Sequence, residues 1–376
     1  MKRQNSLSQN YCCCLVTMLF ISILGISCNN DLDSKSSQIS PSISIDSLPI
    51  PFVHQIEGIG DKVYFSTSDQ YQLGILDYSQ KEVRVLLDSA ITKGEKIKSF
   101  DISKDYLVAR LDSRFLRVSL ESNKIETFDY NMYFTIKERE FTFGSMGKFE
   151  RLHIIDSSNV VLSIYSMEYS YWQSDFFKQP VLCRYNLVTG EQSPYDLKYP
   201  DEYSHNNFGS LVSVLTAHDK EHQKIFCAFQ ASDDLAILDY ATNKVNWIDS
   251  PTMDESEFVS LPFDTTHKDD MNFVFDHLTW SGYYNNLLYS ESTNQLFRIL
   301  DESLPKRDKA GEYTSINNKK RTVQIFSPTL EFVGVETLNS NFLPKRAFTL
   351  EGDLFLFSPQ RVKQRNSLIY SRLKFN

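Results

Sequence analysis

Four shortages bound what this 376-residue chain can be. Cysteine is the first. Four of the six lie at positions 12, 13, 14 and 28, so the body of the chain holds only Cys183 and Cys227. Two thiols cannot build a disulfide framework. Both sit in strand-like runs, VLCRYNL and KIFCAF, and read as small buried hydrophobes. Positive charge is the second shortage: 39 Lys and Arg face 48 Asp and Glu, a net charge of −9. That balance excludes nucleic acid as a partner. The deficit is uneven, because Lys and Arg predominate from Pro305 onward. Third, the one long apolar run, Tyr11 to Ile26, is shorter than the ~20 residues a spanning helix requires. Fourth, reaction motifs are missing. No Ser-His-Asp order, Gly-rich phosphate loop or CxxC pair stands out, so no catalytic residue and no cofactor is assigned.

What is present begins at the N-terminus. Lys2 and Arg3 precede the apolar run, and small Ser27 and Cys28 follow it, the order of a secretory signal over residues 1–27. The ending LGISC resembles the lipobox of bacterial lipoproteins, with Gly25 where Leu is usual and Leu24 one place earlier. That resemblance implies that Cys28 carries the lipid and that the protein is anchored in the cell envelope, at the outer membrane. Residues 28–41 are Ser-rich and polar and read as a flexible tether. Its Asp31 and Asp33 resemble the export signals of surface lipoproteins.

Beyond the tether, one phrase is written twice. LGILDYSQKEVRVL at 73–86 and LAILDYATNKVNWI at 235–248 share Leu, Ile, Leu, Asp, Tyr and Val at matching positions. Weaker copies stand at 115–128, 182–195 and 323–338. Each is an alternating strand, a tight polar turn and a second strand, and each follows another pair of strand-like runs. A repeated four-strand unit is the mark of a β-propeller. The expected fold is all-β, a single propeller over residues 42–376 with four-stranded antiparallel blades. Six blades are counted, beginning near Phe52, Ser99, Arg151, Leu211 and Phe275, with a sixth in AFTLEGDLFLFS and SLIYSRLKF. Seven is the alternative, because 299–321 could hide strands. The sixth blade lacks its outer strand, which Ser42 to Leu48 could supply. Val63, Phe65, Leu107, Ala109, Val161, Ile225 and Leu288 are the expected core, and no helix longer than about two turns is expected.

The runs YSESTNQLFRILDESLP, RTVQIFSPTLEFVGVETL, PVLCRYNLVTGE and YPDEY are similar to those of a family of TolB-like six-bladed propeller lipoproteins of Bacteroidota, a domain of unknown function. The resemblance implies the fold and the envelope location, and leaves function open.

The turns within strand pairs are short, whereas 131–150, 166–179, 199–209, 249–270 and 291–320 are long and fall on the opposite face. Long loops in a compact domain are usually functional. Binding of a ligand, or of a protein, peptide or glycan partner, is therefore expected on that face. The aromatic loop with Tyr169, Tyr171, Trp172, Asp175, Phe176 and Phe177 is the candidate; the alternative is that these rings form a satellite core. HDKEH at 218–222 resembles the HExxH zinc motif. Its position in a hairpin turn separates the two imidazoles, so it is assigned no metal. The acidic stretch with Asp254, Glu255, Asp264, Asp269 and Asp270 lacks calcium-loop spacing and reads as solvated. The basic residues Lys306, Arg307, Lys309, Lys319, Lys320, Arg321, Lys345, Arg346, Arg361, Lys363 and Arg365 are placed on the long-loop face, where they could meet an anion. A binding protein is the first reading. An enzyme acting on an envelope or extracellular carbohydrate or lactone at the channel mouth is the second.

Overall fold

A computed structural model describes residues 42–50, 53–144, 150–248, 250, 258–261, 263, 270–327, 329–338, 342–358 and 368–374. The signal region, Cys28 and the tether lie outside the described residues, as do Asp254, Glu255, Asp264, Asp269, Arg361, Lys363 and Arg365.

Strand β1 (Ser42–Leu48) precedes the first blade, which is β2 (Val53–Ile59), β3 (Lys62–Thr67), β4 (Leu73–Asp77) and β5 (Glu82–Leu87). The second blade is β6 (Ser99–Ile102), β7 (Tyr106–Arg110), β8 (Arg114–Ser119) and β9 (Ile125–Asp129). A hairpin, β10 (Tyr133–Ile136) and β11 (Arg139–Phe143), then extends the third blade, formed by β12 (Leu152–Ile154), β13 (Asn159–Ser166), β14 (Leu182–Asn186) and β15 (Gln192–Pro194). The fourth is β16 (Val214–Asp219), β17 (Lys224–Phe229), β18 (Leu235–Asp239) and β19 (Lys244–Ile248). The fifth is β20 (Tyr283–Ser290), β21 (Gln295–Asp301), β22 (Arg321–Phe326) and β23 (Phe332–Leu338). The sixth is β24 (Leu343–Leu350), β25 (Asp353–Phe357) and β26 (Leu368–Lys374), with β1 as its outermost strand. β1 runs antiparallel to β26 from Ser42 opposite Lys374 to Leu48 opposite Leu368, which closes the ring between the two ends of the chain.

The doubled phrase is the β4–β5 hairpin and the β18–β19 hairpin. Its invariant Asp starts the turn: Asp77 Oδ1 accepts from the backbone N–H of Ser79 and Gln80, and Asp239 Oδ1 from those of Ala241 and Thr242. The last turn residue is left-handed in both copies, Lys81 at φ 57° and Asn243 at φ 56°. Asn123 and Gly190 take the same conformation in blades two and three. An Asx-type turn followed by a left-handed residue recurs because four residues must reverse the chain between twisted strands.

Packing follows the ring. Six apolar clusters fill the seams between neighbouring sheets, and one of them joins Ile56, Val63 and Phe65 of the first blade to Phe348, Phe355 and Tyr370 of the sixth. All seven expected core residues are buried. Cys183 and Cys227 are buried free thiols, and burial pushes the Cys183 thiol up to about 12.

Two expectations fail. Among the described residues three α-helices are present: α1 (Ser89–Thr92), α2 (Asp201–His205) and α3 (Met271–Trp280). The last has 10 residues, beyond two turns, and it occupies the place given to the start of blade five, which begins instead at Tyr283. Asp270, read as part of an acidic loop, is its N-cap and accepts from the N–H of Asn272 and Phe273. None of the described helices is long and apolar enough to cross a membrane.

Candidate functional site at the channel mouth

The first strands of the six blades, β2, β6, β12, β16, β20 and β24, stand around the central axis. Side chains alternate along a strand, so each of these strands directs part of its residues into the channel. At the end where the β2–β3, β16–β17, β20–β21 and β24–β25 turns lie, a cavity of about 650 Å³ opens. Gly60, Lys220, Glu291, Ser292 and Glu351 come from those turns, and Ile56, Leu288 and Phe348 supply apolar wall. Gly58 is needed at the seam of blades one and six, because a Cβ there would overlap the carbonyl oxygen of Thr349.

Ionisable groups concentrate in this cavity. Asp101 on β6 is the centre. Its Oδ1 accepts from the N–H of Ile102 at 2.7 Å and from Lys220 Nζ at 3.0 Å, and its Oδ2 accepts from the N–H of Ile154 at 2.7 Å. Lys220 Nζ also donates to the carbonyl of Ile102. One carboxylate thus ties blade two to blades three and four. Burial pushes the Asp101 carboxyl up, but the Lys220 charge, with help from His218 and His153, outweighs it and holds the group well below the usual carboxylate range.

Two imidazoles flank Asp101. His153 on β12 places Nε2 2.7 Å from Thr216 Oγ1. His218 on β16 places Nε2 3.4 Å from the Tyr240 hydroxyl, contributed by the second copy of the repeated phrase. The rings lie 5.3 Å apart, centroid to centroid. Burial lowers both pKa values, against the opposite pull of the Asp101 carboxylate. Arg151 donates to the carbonyls of Thr216 and Leu287 and to Asn286 Oδ1, which places its charge across three blades. Glu57 on β2 faces this group with a carboxyl that burial, and then the charge of Asp101, raise to about 8 against the pull of Arg151 and Lys220.

Apart from His218 and Lys220 of HDKEH, the sequence-derived candidates lie elsewhere. The aromatic loop, on the long-loop face, is folded down: Trp172, Phe176 and Phe177 are buried. Phe176 and Phe177 join a cluster with Tyr199, Tyr203 and Phe208, and Tyr169 and Tyr171 pack partly against it. Asp175 is exposed and pairs with Lys178 at 2.7 Å. HDKEH does form a hairpin turn. His222 points outward to Asp219 at 2.8 Å while His218 points inward, so the two share no face. Of the basic residues, Lys319 is buried with its ammonium on the carbonyl of Ser281, and Arg321 pairs with buried Asp301 at 2.8 Å. These two are structural cations and offer nothing to an anion.

Sequence reasoning missed Glu57, Asp101, Arg151 and His153. Each stands on or beside a short first strand, in HQIEGI, SFDI and RLHI, where polar residues interrupt apolar neighbours. That interruption is the only local signal, because convergence of separate strands is not written in any of them.

Fold and site together define a six-bladed β-propeller with an ionisable cluster at one mouth of its channel. No family model and no curated protein matches the chain. Among solved structures it is similar to a member of the DUF4221 family from Bacteroides vulgatus, at 14% identity over 88% of this chain and 98% of that one, with a TM-score of 0.65. It is also similar to a protein of Bacteroides fragilis whose name proposes export, at 10% identity over 89% and 95% of the two chains, with a TM-score of 0.52. Identities this low establish the shared fold.

Proposed function

We propose that this chain is a lipid-anchored propeller of the cell envelope that binds a small polar molecule in the short-turn mouth of its channel. The observation that carries the reading is the convergence of Glu57, Asp101, Arg151, His153, His218 and Lys220 from four blades on one cavity. Burying charges costs free energy that apolar residues would not, and clusters with displaced pKa values mark functional sites. The cavity volume falls in the range of small-molecule sites. Its lining brings four carboxylates, Glu57, Asp101, Glu291 and Glu351, together with two cations, Arg151 and Lys220, a mixture that suits a hydroxylated or zwitterionic ligand better than an anion.

The test is a thermal-shift and calorimetric screen of sugars, lactones and small carboxylic acids. A hit is expected to lose at least tenfold in affinity in Glu57→Gln and to be unaffected by Tyr171→Ala on the opposite face. Loss through Tyr171 with no effect of Glu57 would return the site to the long-loop face.

Envelope anchoring is supported by the signal order, by LGISC and by the export that the Bacteroides fragilis protein's name proposes. Cys28→Ser is expected to move the protein from the membrane to the soluble fraction and to abolish labelling by a fatty-acid analogue. Unchanged fractionation would refute the anchor.

A further inference from the structure

The cavity holds a finer arrangement inside its charged ring. Asp101, His153 and His218 each present a donor atom, and the three atoms lie within 4.8 Å of one another. They come from the first strands of three successive blades, so the sheets hold their backbones. The side chains of Asp101 and His218 are each 5% exposed, and His218 Nδ1 stands 3.8 Å from Asp101 Oδ2. That separation is too long for a hydrogen bond, and Nδ1 is buried with no hydrogen-bond partner. A buried polar atom left unpaired costs about 1–3 kcal/mol. A ligand between the two would satisfy it.

We infer that Asp101, His153 and His218 form a binding site for a divalent transition-metal cation. The inference deepens the ligand reading, since such an ion would anchor a polar ligand in the same cavity. Two imidazoles and one carboxylate suit Zn²⁺, Co²⁺ or Fe²⁺, whereas Ca²⁺ and Mg²⁺ take all-oxygen shells. Three protein donors leave coordination positions open, the pattern of sites that engage a further molecule. Outer partners are in place as well: Thr216 sits on His153, Tyr240 on His218, and the N–H of Ile154 on Asp101. Such contacts orient ligating side chains.

Three features bear on the ion: the spacing of the donors, and the charges of Lys220 and Arg151, both of which depress the His153 pKa; the Arg151 guanidinium is engaged by the carbonyls of Thr216 and Leu287 and by Asn286 Oδ1. Donors of a closed tetrahedral site at bond lengths of about 2.1 Å lie roughly 3.4 Å apart, so the three side chains must close inward by about an ångström. Lys220 brings a like charge, but it bonds Oδ1 of Asp101, whereas Oδ2 is the oxygen nearest His218. Glu291 also offsets the ammonium.

The experiment uses the chain treated with chelator and then titrated with Co²⁺ and with Zn²⁺. Expected are one ion per chain with micromolar or tighter affinity, visible Co²⁺ absorption of a nitrogen–oxygen site, and a higher melting temperature because three blades become cross-linked. His153→Ala and His218→Ala should each weaken binding at least a hundredfold, while His222→Ala on the outer side of the same turn should not. No stoichiometric binding to the wild-type chain overturns the inference whatever the variants do, and so does binding that the His153 and His218 substitutions leave intact. The ligand screen, run with chelator and with added metal, is a separate readout. Ligand binding that persists without metal keeps the channel reading even if the metal site fails.

Discussion

A chain that begins at Pro49 is expected to melt roughly 10 °C below one that begins at Ile39, and to aggregate on standing. Only β1 separates the two. Its seven residues pair with β26 along their full length. Hydrogen bonds of such a ladder contribute about 0.5–1.5 kcal/mol each, and fully buried Leu48 adds about 2 kcal/mol. Together these reach about 5 kcal/mol or more, and for a domain of this size each kcal/mol moves the midpoint by about 2 °C. Aggregation follows because β26 becomes an unpaired edge. Melting curves and light scattering on the two truncations give the answer. Equal melting temperatures would mean that β1 contributes nothing to closure.

Lys220→Met is expected to destabilise the chain by about 3 kcal/mol at pH 7, as breaking a buried ion pair does, with the deficit shrinking as pH falls toward 4. The sign comes from Asp101. In the native chain its pKa is depressed, so its contribution to stability is present above the unfolded value and is lost only as pH falls through the lower folded value. Without the ammonium, burial, the largest single influence on this carboxyl, is expected to outweigh the remaining N–H bonds of Ile102 and Ile154 and lift it above its unfolded value. The folded chain then binds a proton that the unfolded chain releases, and stability declines as pH rises instead. Glu57, Arg151, His153, His218 and Glu291 face the same space and remain. Melting curves from pH 4 to 8 in chelator separate the two behaviours. Lys198→Met, which removes only an exposed pair with Asp196, should stay within about 0.5 kcal/mol of wild type at every pH. A Lys220 variant that tracks wild type across the range would show that the ammonium does not hold the Asp101 charge.

The blades were legible because their signals are local. The doubled LxILDY phrase, its Asx turn and its left-handed fourth residue lie within fourteen consecutive positions, and the missing outer strand of blade six could be inferred by counting. The helix α3 was hidden for the opposite reason. MNFVFDHLTW carries Phe, Val, Thr and Trp, residues that favour strands, and its helicity is set by the Asp270 cap and by tertiary contacts such as His277 Nε2 with the carbonyl of Val259 at 2.8 Å. The aromatic loop was found as a cluster, while its burial against Tyr199 and Tyr203 depended on a neighbouring connection. The channel cluster was least legible. Asp101, His153 and His218 are separated by 52 and 65 positions, and each is an ordinary polar residue of a short strand, of which His218 alone drew notice, through HDKEH. Only the closed ring makes them neighbours.

Closure by β1 also has a consequence for biosynthesis. Ser42 to Leu48 are made long before their partner β26, Leu368 to Lys374. The sixth sheet therefore cannot be completed until β26 has been made. A chain stopped before β26 leaves β1 and β25 as open edges, recognisable to chaperones and proteases. The join between β1 and β26 acts as an inspection step that only a chain carrying both strands passes.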